Sequence, residues 1–227
     1  MELSDSCLVQ SCCMMATERA LYVDEWVPLG IWGAFLVFFH VSEFCLASYY
    51  HPPSPFSVGN MPWRSCLFSI PYLVVTSIVI LEFCLEAVYW RESKGLLPVV
   101  CAGASLMLVG ECIRKTAMVT AAKSFTHDIA LEGSASHVLI TDGVYGICRH
   151  PGYMGWFIWV VGGQVLLTNP VSFIIQALIT WLFFYQRIQF EERHLLSIFG
   201  QEYSHYKEAV YFSGIPFVKG IKQDSCK

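Results

Sequence analysis

The sequence predicts an all-α integral membrane protein of about five transmembrane helices, with a polar cap on one side of the bilayer and a C-terminal amphipathic helix. Of its 227 residues, 55% are hydrophobic and 14% charged, whereas an ordinary soluble domain carries about a quarter charged residues. Apolar runs long enough to cross a hydrocarbon core of about 30 Å recur along the chain, and the mean hydropathy is +0.51. Lys and Arg are unevenly shared between the loops, which decides orientation more than the net charge of −4 does.

Residues 1–25 read as a short polar N-terminal segment. Asp5, Glu18, Arg19 and Asp24 interrupt it, so it lacks the sustained apolar core of a signal peptide; Cys12-Cys13 is only a weak acylation signal. Residues 26–227 read as one membrane-embedded domain, without a linker, an internal repeat or a nucleic-acid-binding patch.

The first span is expected over Trp26–Tyr49, carrying His40 and Glu43, and is ended by His51-Pro52-Pro53-Ser54-Pro55. A second runs from Leu67 to Trp90, with Glu82 and Glu86 on one face, and a third from Leu96 to about Val119, closing on Glu111, Arg114 and Lys115. Glu43, Glu82 and Glu86 are the candidate partners for Arg114 and Lys115. The stretch Thr120–Cys148 is too polar and irregular to lie in lipid and should cover something at the membrane surface. Within it, Val138-Leu139-Ile140-Thr141 is β-like. Tyr153–Leu167 and Val171–Tyr185 form a hairpin about Asn169-Pro170, and Phe190–Lys227 alternates apolar and charged residues like a helix lying on the interface. Leu195, Leu196, Ile198, Phe199, Tyr203 and Tyr206 would face the lipid. Cys45, Cys66, Cys84, Cys101 and Cys112 lie in or beside apolar runs without CxxC pairs and read as small buried residues.

Placing the tail and middle loop on one side gathers Arg64, Arg114, Lys115, Lys123, Arg149, Arg187, Arg193, Lys207, Lys219, Lys222 and Lys227 there, against Arg19, Arg91 and Lys94 opposite. The Lys/Arg-rich side is cytosolic.

The hairpin carries a polar cluster on each arm. His150 lies 19 residues before Asn169 and Arg187 lies 17 after Pro170, rises of about 28 Å and about 26 Å. Both clusters therefore return to one depth. Pro151 suits a first helical turn, and the amides that follow it make an anion-binding helix N-terminus. Arg187 and Glu191, four apart, share a helix face. Taken singly, these features also fit a positive-inside anchor with a proline start and a plain helix ion pair; their common depth at a membrane boundary marks a site. No three His, Cys or carboxylate residues have zinc spacing, and neither a Ser-His-Asp arrangement nor a phosphate loop is visible.

Gly110-Glu111-Cys112-Ile113-Arg114-Lys115, Ser124-Phe125-Thr126-His127, His137 to Thr141, Gly143-Val144-Tyr145, Arg149-His150-Pro151, Glu191-Glu192 and Gly214-Ile215-Pro216-Phe217 together resemble the isoprenylcysteine carboxyl methyltransferase family, over about Trp32 to Lys222. The resemblance implies methylation of the C-terminal prenylcysteine carboxylate of processed CaaX proteins, such as small GTPases. It implies S-adenosylmethionine as methyl donor, a lipid-embedded substrate, and an endoplasmic reticulum membrane location with the active site and its cofactor-binding cap facing the cytosol. Cofactor contacts are implied for His137, Val138, Leu139, Ile140, Tyr145, His150, Pro151, Gly152, Tyr153 and Glu191. Arg187 is implied to meet the substrate carboxylate as the catalytic positioning residue. Ala130 stands where the family commonly has Gln, which removes one expected cofactor hydrogen bond. Animal-type members carry further N-terminal spans, whereas this chain begins with a short polar segment.

Three other readings compete. A phospholipid N-methyltransferase must deprotonate an amine and has no use for Arg187 facing its substrate. An NADPH-dependent sterol reductase needs a further basic cluster for its larger cofactor. An inactive membrane scaffold would follow from loss of the N-terminal spans.

Overall fold

The computed structural model describes residues 21–50, 70–125 and 138–221, which form six α-helices: α1 (Val27–Tyr50), α2 (Ile70–Tyr89), α3 (Leu97–Ala121), α4 (Pro151–Leu167), α5 (Pro170–Phe199) and α6 (Gln201–Ala209). Among the described residues, strand pairing is limited to one isolated bridge, Tyr22 with Leu96. Val138–Thr141 has no ladder partner and runs as irregular chain.

Four helical stretches, α1, α2, α3 with its following turn, and α5, are long and apolar enough to cross a membrane. The expected fifth span, α4, has 17 residues and is not among them; its rise is about 26 Å, and more than half of it is buried against neighbouring elements.

Glycines set how α3 and α4 approach. A Cβ on Gly110 would lie 2.5 Å from the Gly155 carbonyl oxygen, one on Gly155 would lie 2.6 Å from the Gly110 oxygen, and one on Gly162 would lie 2.7 Å from Leu106 Cβ. Only hydrogen fits at these crossings. Lipid offers no hydrophobic drive for helices to associate, so close backbone packing through small residues holds such pairs. Trp32 and Phe39 of α1, Val79 and Phe83 of α2, and Trp159 and Leu166 of α4 fill the adjoining core.

The α4–α5 turn is fastened from α2. Thr168 ends α4 in a left-handed conformation, and Pro170 starts α5 in the first turn, where its missing N–H costs nothing. Glu82 accepts from the Val171 and Ser172 amides, both at 2.8 Å, so it caps α5. The buried Lys94 ammonium donates to Glu86 at 2.5 Å, to the Leu167 and Thr168 carbonyls at 2.7 and 2.9 Å, and to Asn169 Oδ1 at 3.0 Å. Glu82 and Glu86 thus serve this end of the bundle and are not partners of Arg114 or Lys115. Glu43 alone among the three takes that part: it accepts from Arg114 Nε and Nη2 at 2.7 and 2.8 Å and from Lys115 at 2.5 Å.

Two further expectations are corrected. Cys45, Cys101 and Cys112 are exposed on the outside of the bundle rather than buried in it, and Cys84 is half-buried; lipid supplies the apolar medium their pattern indicated. Cys66 lies outside the described residues. The amphipathic stretch does not start a separate interfacial helix at Phe190. Nothing breaks the helix before Gly200, so α5 runs through as a single 30-residue rod, about 45 Å long. Only α6 is distinct, and residues 210–221 fold back against the start of α4, with the Arg149 and His150 amides donating to the Phe212 and Ser213 carbonyls at 3.0 and 2.9 Å.

Candidate active site

The two arms do meet at one depth. The Tyr153 hydroxyl, in the first turn of α4, accepts from Arg187 Nε at 2.7 Å and donates to Glu191 Oε2 at 2.5 Å. The helix pair expected of Arg187 and Glu191 is therefore threaded through a tyrosine from the other arm. The Tyr153 ring stacks on His150, with centroids 5.5 Å apart, and on Phe184, at 4.8 Å. These contacts and its two hydrogen bonds leave the hydroxyl little freedom. Arg187 also lies over the Tyr153 and Phe183 rings, at 5.6 and 6.0 Å, a cation–π setting at the lipid-facing side of the cluster.

Beside this cluster is an open cavity of about 150 Å³. Nine of the expected positions border it: Val138, Leu139, Ile140, Tyr145, His150, Pro151, Gly152, Tyr153 and Glu191. His137 and Ala130 lie outside the described residues, as does His127. Pro151 begins α4 without any side chain capping the helix, so an anionic group suits its amide end. The Glu191 carboxylate suits a cationic one. His150, at the start of α4, has its Nδ1 3.9 Å from Glu191 Oε1, so the helix start and the carboxylate lie side by side at the cavity, which fits a zwitterionic amino-acid moiety.

The irregular chain before α4 is held to the cap. Tyr206 donates to the Tyr145 carbonyl at 2.8 Å, and Tyr145 to the Ala117 carbonyl at 3.4 Å. Burial pushes the Cys148 thiol up to about 11, and it raises the phenols of Tyr145 and Tyr206 as well. These groups stay neutral at physiological pH.

Glu192 was not singled out in the sequence beside its neighbour. It is fully buried and collects Arg149 Nε at 2.9 Å, His150 Nε2 at 3.4 Å, the Ile221 amide at 3.0 Å and Lys207 at 3.2 Å. Arg149 in turn donates to the Val210, Tyr211 and Lys219 carbonyls at 2.7, 2.6 and 3.0 Å. The Arg149–Glu192 pair is a clasp that closes the tail over the site, and Arg149 also borders the cavity. Leu195, Phe199, Tyr203 and Tyr206, expected to face lipid, line the cavity instead. Their alternation was legible, but an apolar face says nothing about whether lipid, protein or a bound molecule covers it.

Comparison with known proteins agrees with this arrangement. Residues 103–197, from mid-α3 to the end of α5, match the model of the isoprenylcysteine carboxyl methyltransferase family. The protein-S-isoprenylcysteine O-methyltransferase of Rattus norvegicus is 40% identical over 199 residues, which cover 88% of this chain and 68% of the rat protein. The Homo sapiens enzyme is 39% identical over 201 residues, 88% of this chain and 69% of its own length. Protein-S-isoprenylcysteine O-methyltransferase A of Arabidopsis thaliana is 42% identical over 183 residues, 81% of this chain and 90% of the plant protein. A solved eukaryotic intramembrane Ras methyltransferase superposes with a TM-score of 0.81 at 35% identity, covering 88% of this chain and 70% of that one. With these identities sustained across animal and plant relatives and across the helices that build the cavity, the chain belongs to the isoprenylcysteine carboxyl methyltransferase family.

Proposed function

We propose that this membrane enzyme methylates the C-terminal carboxylate of prenylated cysteine in processed CaaX proteins, small GTPases among them. We further propose that it uses S-adenosylmethionine at the cytosolic face of the endoplasmic reticulum membrane. Residues 26–227 form the catalytic unit. The observation that carries this reading is the Tyr153 hydroxyl, which joins Arg187 to Glu191 at the boundary between the aromatic, lipid-facing side and the cavity.

The residues divide the work by charge and position. His150 to Tyr153, Val138 to Ile140 and Tyr145 border the space for the methyl donor, and Glu191 meets its cationic part. Bound S-adenosylmethionine supplies an electrophilic sulfonium methyl. Arg187 orients the incoming carboxylate through its planar guanidinium, which a lysine's point charge would not do; the bond to Tyr153 fixes the plane of that guanidinium. An α-carboxylate has a pKa of about 3.5 and is already ionised at neutral pH, so no general base is needed. The two charges cancel as the ester forms, and a site that excludes water and aligns the reactants supplies most of the acceleration. The prenyl chain stays in the bilayer beside Phe183, so a water-soluble donor and a lipid-anchored acceptor meet without either leaving its solvent.

The test uses purified protein, methyl-labelled S-adenosylmethionine and either N-acetyl-S-farnesylcysteine or phosphatidylethanolamine. Label in a base-labile ester of the farnesylcysteine is expected. Label only in the phospholipid, or in neither, would defeat the proposal and return the N-methyltransferase or scaffold reading.

A further inference from the structure

Phe217, in the tail, combines two features that packing within the protein does not account for. Its ring is 96% exposed among the described residues, and its backbone is left-handed, with φ of 63°, a region that a bulky side chain rarely occupies. A conformation of this kind persists only where the surroundings impose it. In water, the bare ring and the strained backbone would both be unfavourable.

The depth of the turn says what surrounds it. The Trp181 indole donates to the carbonyl of Pro216 at 2.8 Å. Trp181 follows Pro170, the first residue of α5, by 11 positions, about 16 Å along the helix axis, and a hydrocarbon core is about 30 Å thick. Leu178, Leu182 and Phe183 beside it are exposed apolar side chains on a membrane span. The Pro216-Phe217 tip therefore lies at the depth of the acyl chains. Irregular backbone is tolerated there only where protein satisfies its polar groups. Pro216 brings no N–H, the Val218 amide donates to the Ile215 carbonyl at 3.2 Å, and Ser213 Oγ accepts from the Ile215 amide at 3.4 Å and donates to the Val218 carbonyl. Ser213, Ile215 and Val218 are buried, the last two against Phe184 and Ile188 of α5. Between Ser213 and Val218, Pro216 and Phe217 alone are exposed.

We propose that residues 213–218 form a re-entrant turn that dips into the bilayer beside α5 and seats the Phe217 ring among the acyl chains of the lipid. The same tail reaches Glu192 through the Ile221 amide. It is thus held by the buried clasp at one end and by lipid at its tip, which ties the cap over the cavity to the membrane as well as to the protein.

The experiment places an environment-sensitive fluorescent amino acid at position 217 of the full chain, reconstituted in phosphatidylcholine nanodiscs. Its emission should be blue-shifted, quenched by phosphatidylcholine brominated along the acyl chains, and untouched by aqueous iodide. Quenching by iodide, or by a headgroup-attached quencher only, would put the turn at the surface and overturn the proposal. Quenching by neither lipid nor iodide would mean that protein, another part of this chain or a second copy, covers the residue, and would overturn it too. A second measurement does not depend on the fluorophore. In the same nanodiscs Phe217→Cys should resist a charged, water-soluble thiosulfonate, read by mass on the peptide that carries the substitution, and should react once the chain is unfolded, because thiolate forms only in contact with water. Reaction in the folded protein as fast as in the unfolded chain would defeat the re-entrant turn.

Discussion

Removing the Glu192 carboxylate should loosen the whole cap. In Glu192→Ala the Arg149 guanidinium, 4% exposed, loses its only counter-charge within hydrogen-bonding distance among the described residues. Stranding one member of a buried pair costs about 3–5 kcal/mol. The three carbonyls that Arg149 retains place the figure toward the lower end, and losing the Ile221 amide bond costs about 1 kcal/mol more, for a total near 4 kcal/mol. For a chain of this size that corresponds to a fall in melting temperature on the order of 10 °C. Glu192→Gln keeps the shape and can still accept from Arg149 and Ile221, so about half the effect is expected, because the loss is then of charge alone. Thermal unfolding in detergent, with and without saturating S-adenosylhomocysteine, measures both changes. The ligand-induced stabilisation should shrink in Glu192→Ala because the tail no longer holds α6 over the cavity. A Glu192→Ala protein that melts within about two degrees of wild type and binds the ligand normally would refute the clasp.

Gly155→Ala puts a methyl 2.6 Å from the Gly110 oxygen and 2.7 Å from the Arg114 amide. It should cost about 1–3 kcal/mol and weaken ligand binding by shifting the start of α4, whereas Gly30→Ala, which meets nothing within 4 Å, should be neutral in the same melts. Lys94→Met strands Glu86 and the α4–α5 turn acceptors and should cost about 3 kcal/mol. The cavity is a helix length away, so the folded fraction should bind S-adenosylhomocysteine with unchanged affinity by titration. Arg187→Ala should raise KM for farnesylcysteine while sparing cofactor affinity, and Glu191→Ala should do the reverse; equal loss of cofactor affinity in both would contradict the division of labour. With its thiol pushed up to about 11, Cys148 should resist maleimide labelling in the folded protein at pH 7.5 and gain reactivity as the pH rises, because the thiolate is the nucleophile; rapid labelling of the native enzyme, read by peptide mass mapping, would count against its burial.

Much of this architecture can be read from the chain itself. Spans in lipid must satisfy their own backbone and present apolar side chains, so their existence is written in composition, and Pro151 and Pro170 mark where two of them start. Helical rise is regular, so counting from Asn169 was enough to level His150 with Arg187. What counting does not give is rotation about each axis and the hand of close packing. Whether Glu82 faces α5 or Arg114, and whether Leu195, Phe199 and Tyr203 turn to lipid or to the cavity, is decided by which elements pack against them. The adjacent carboxylates Glu191 and Glu192 are chemically identical in sequence, yet one faces the cavity mouth beside Tyr153 and the other is enclosed by Arg149, His150 and the tail. A residue's chemistry is fixed by its atoms, but its role is set by what surrounds it, and those surroundings come from segments that only packing brings together.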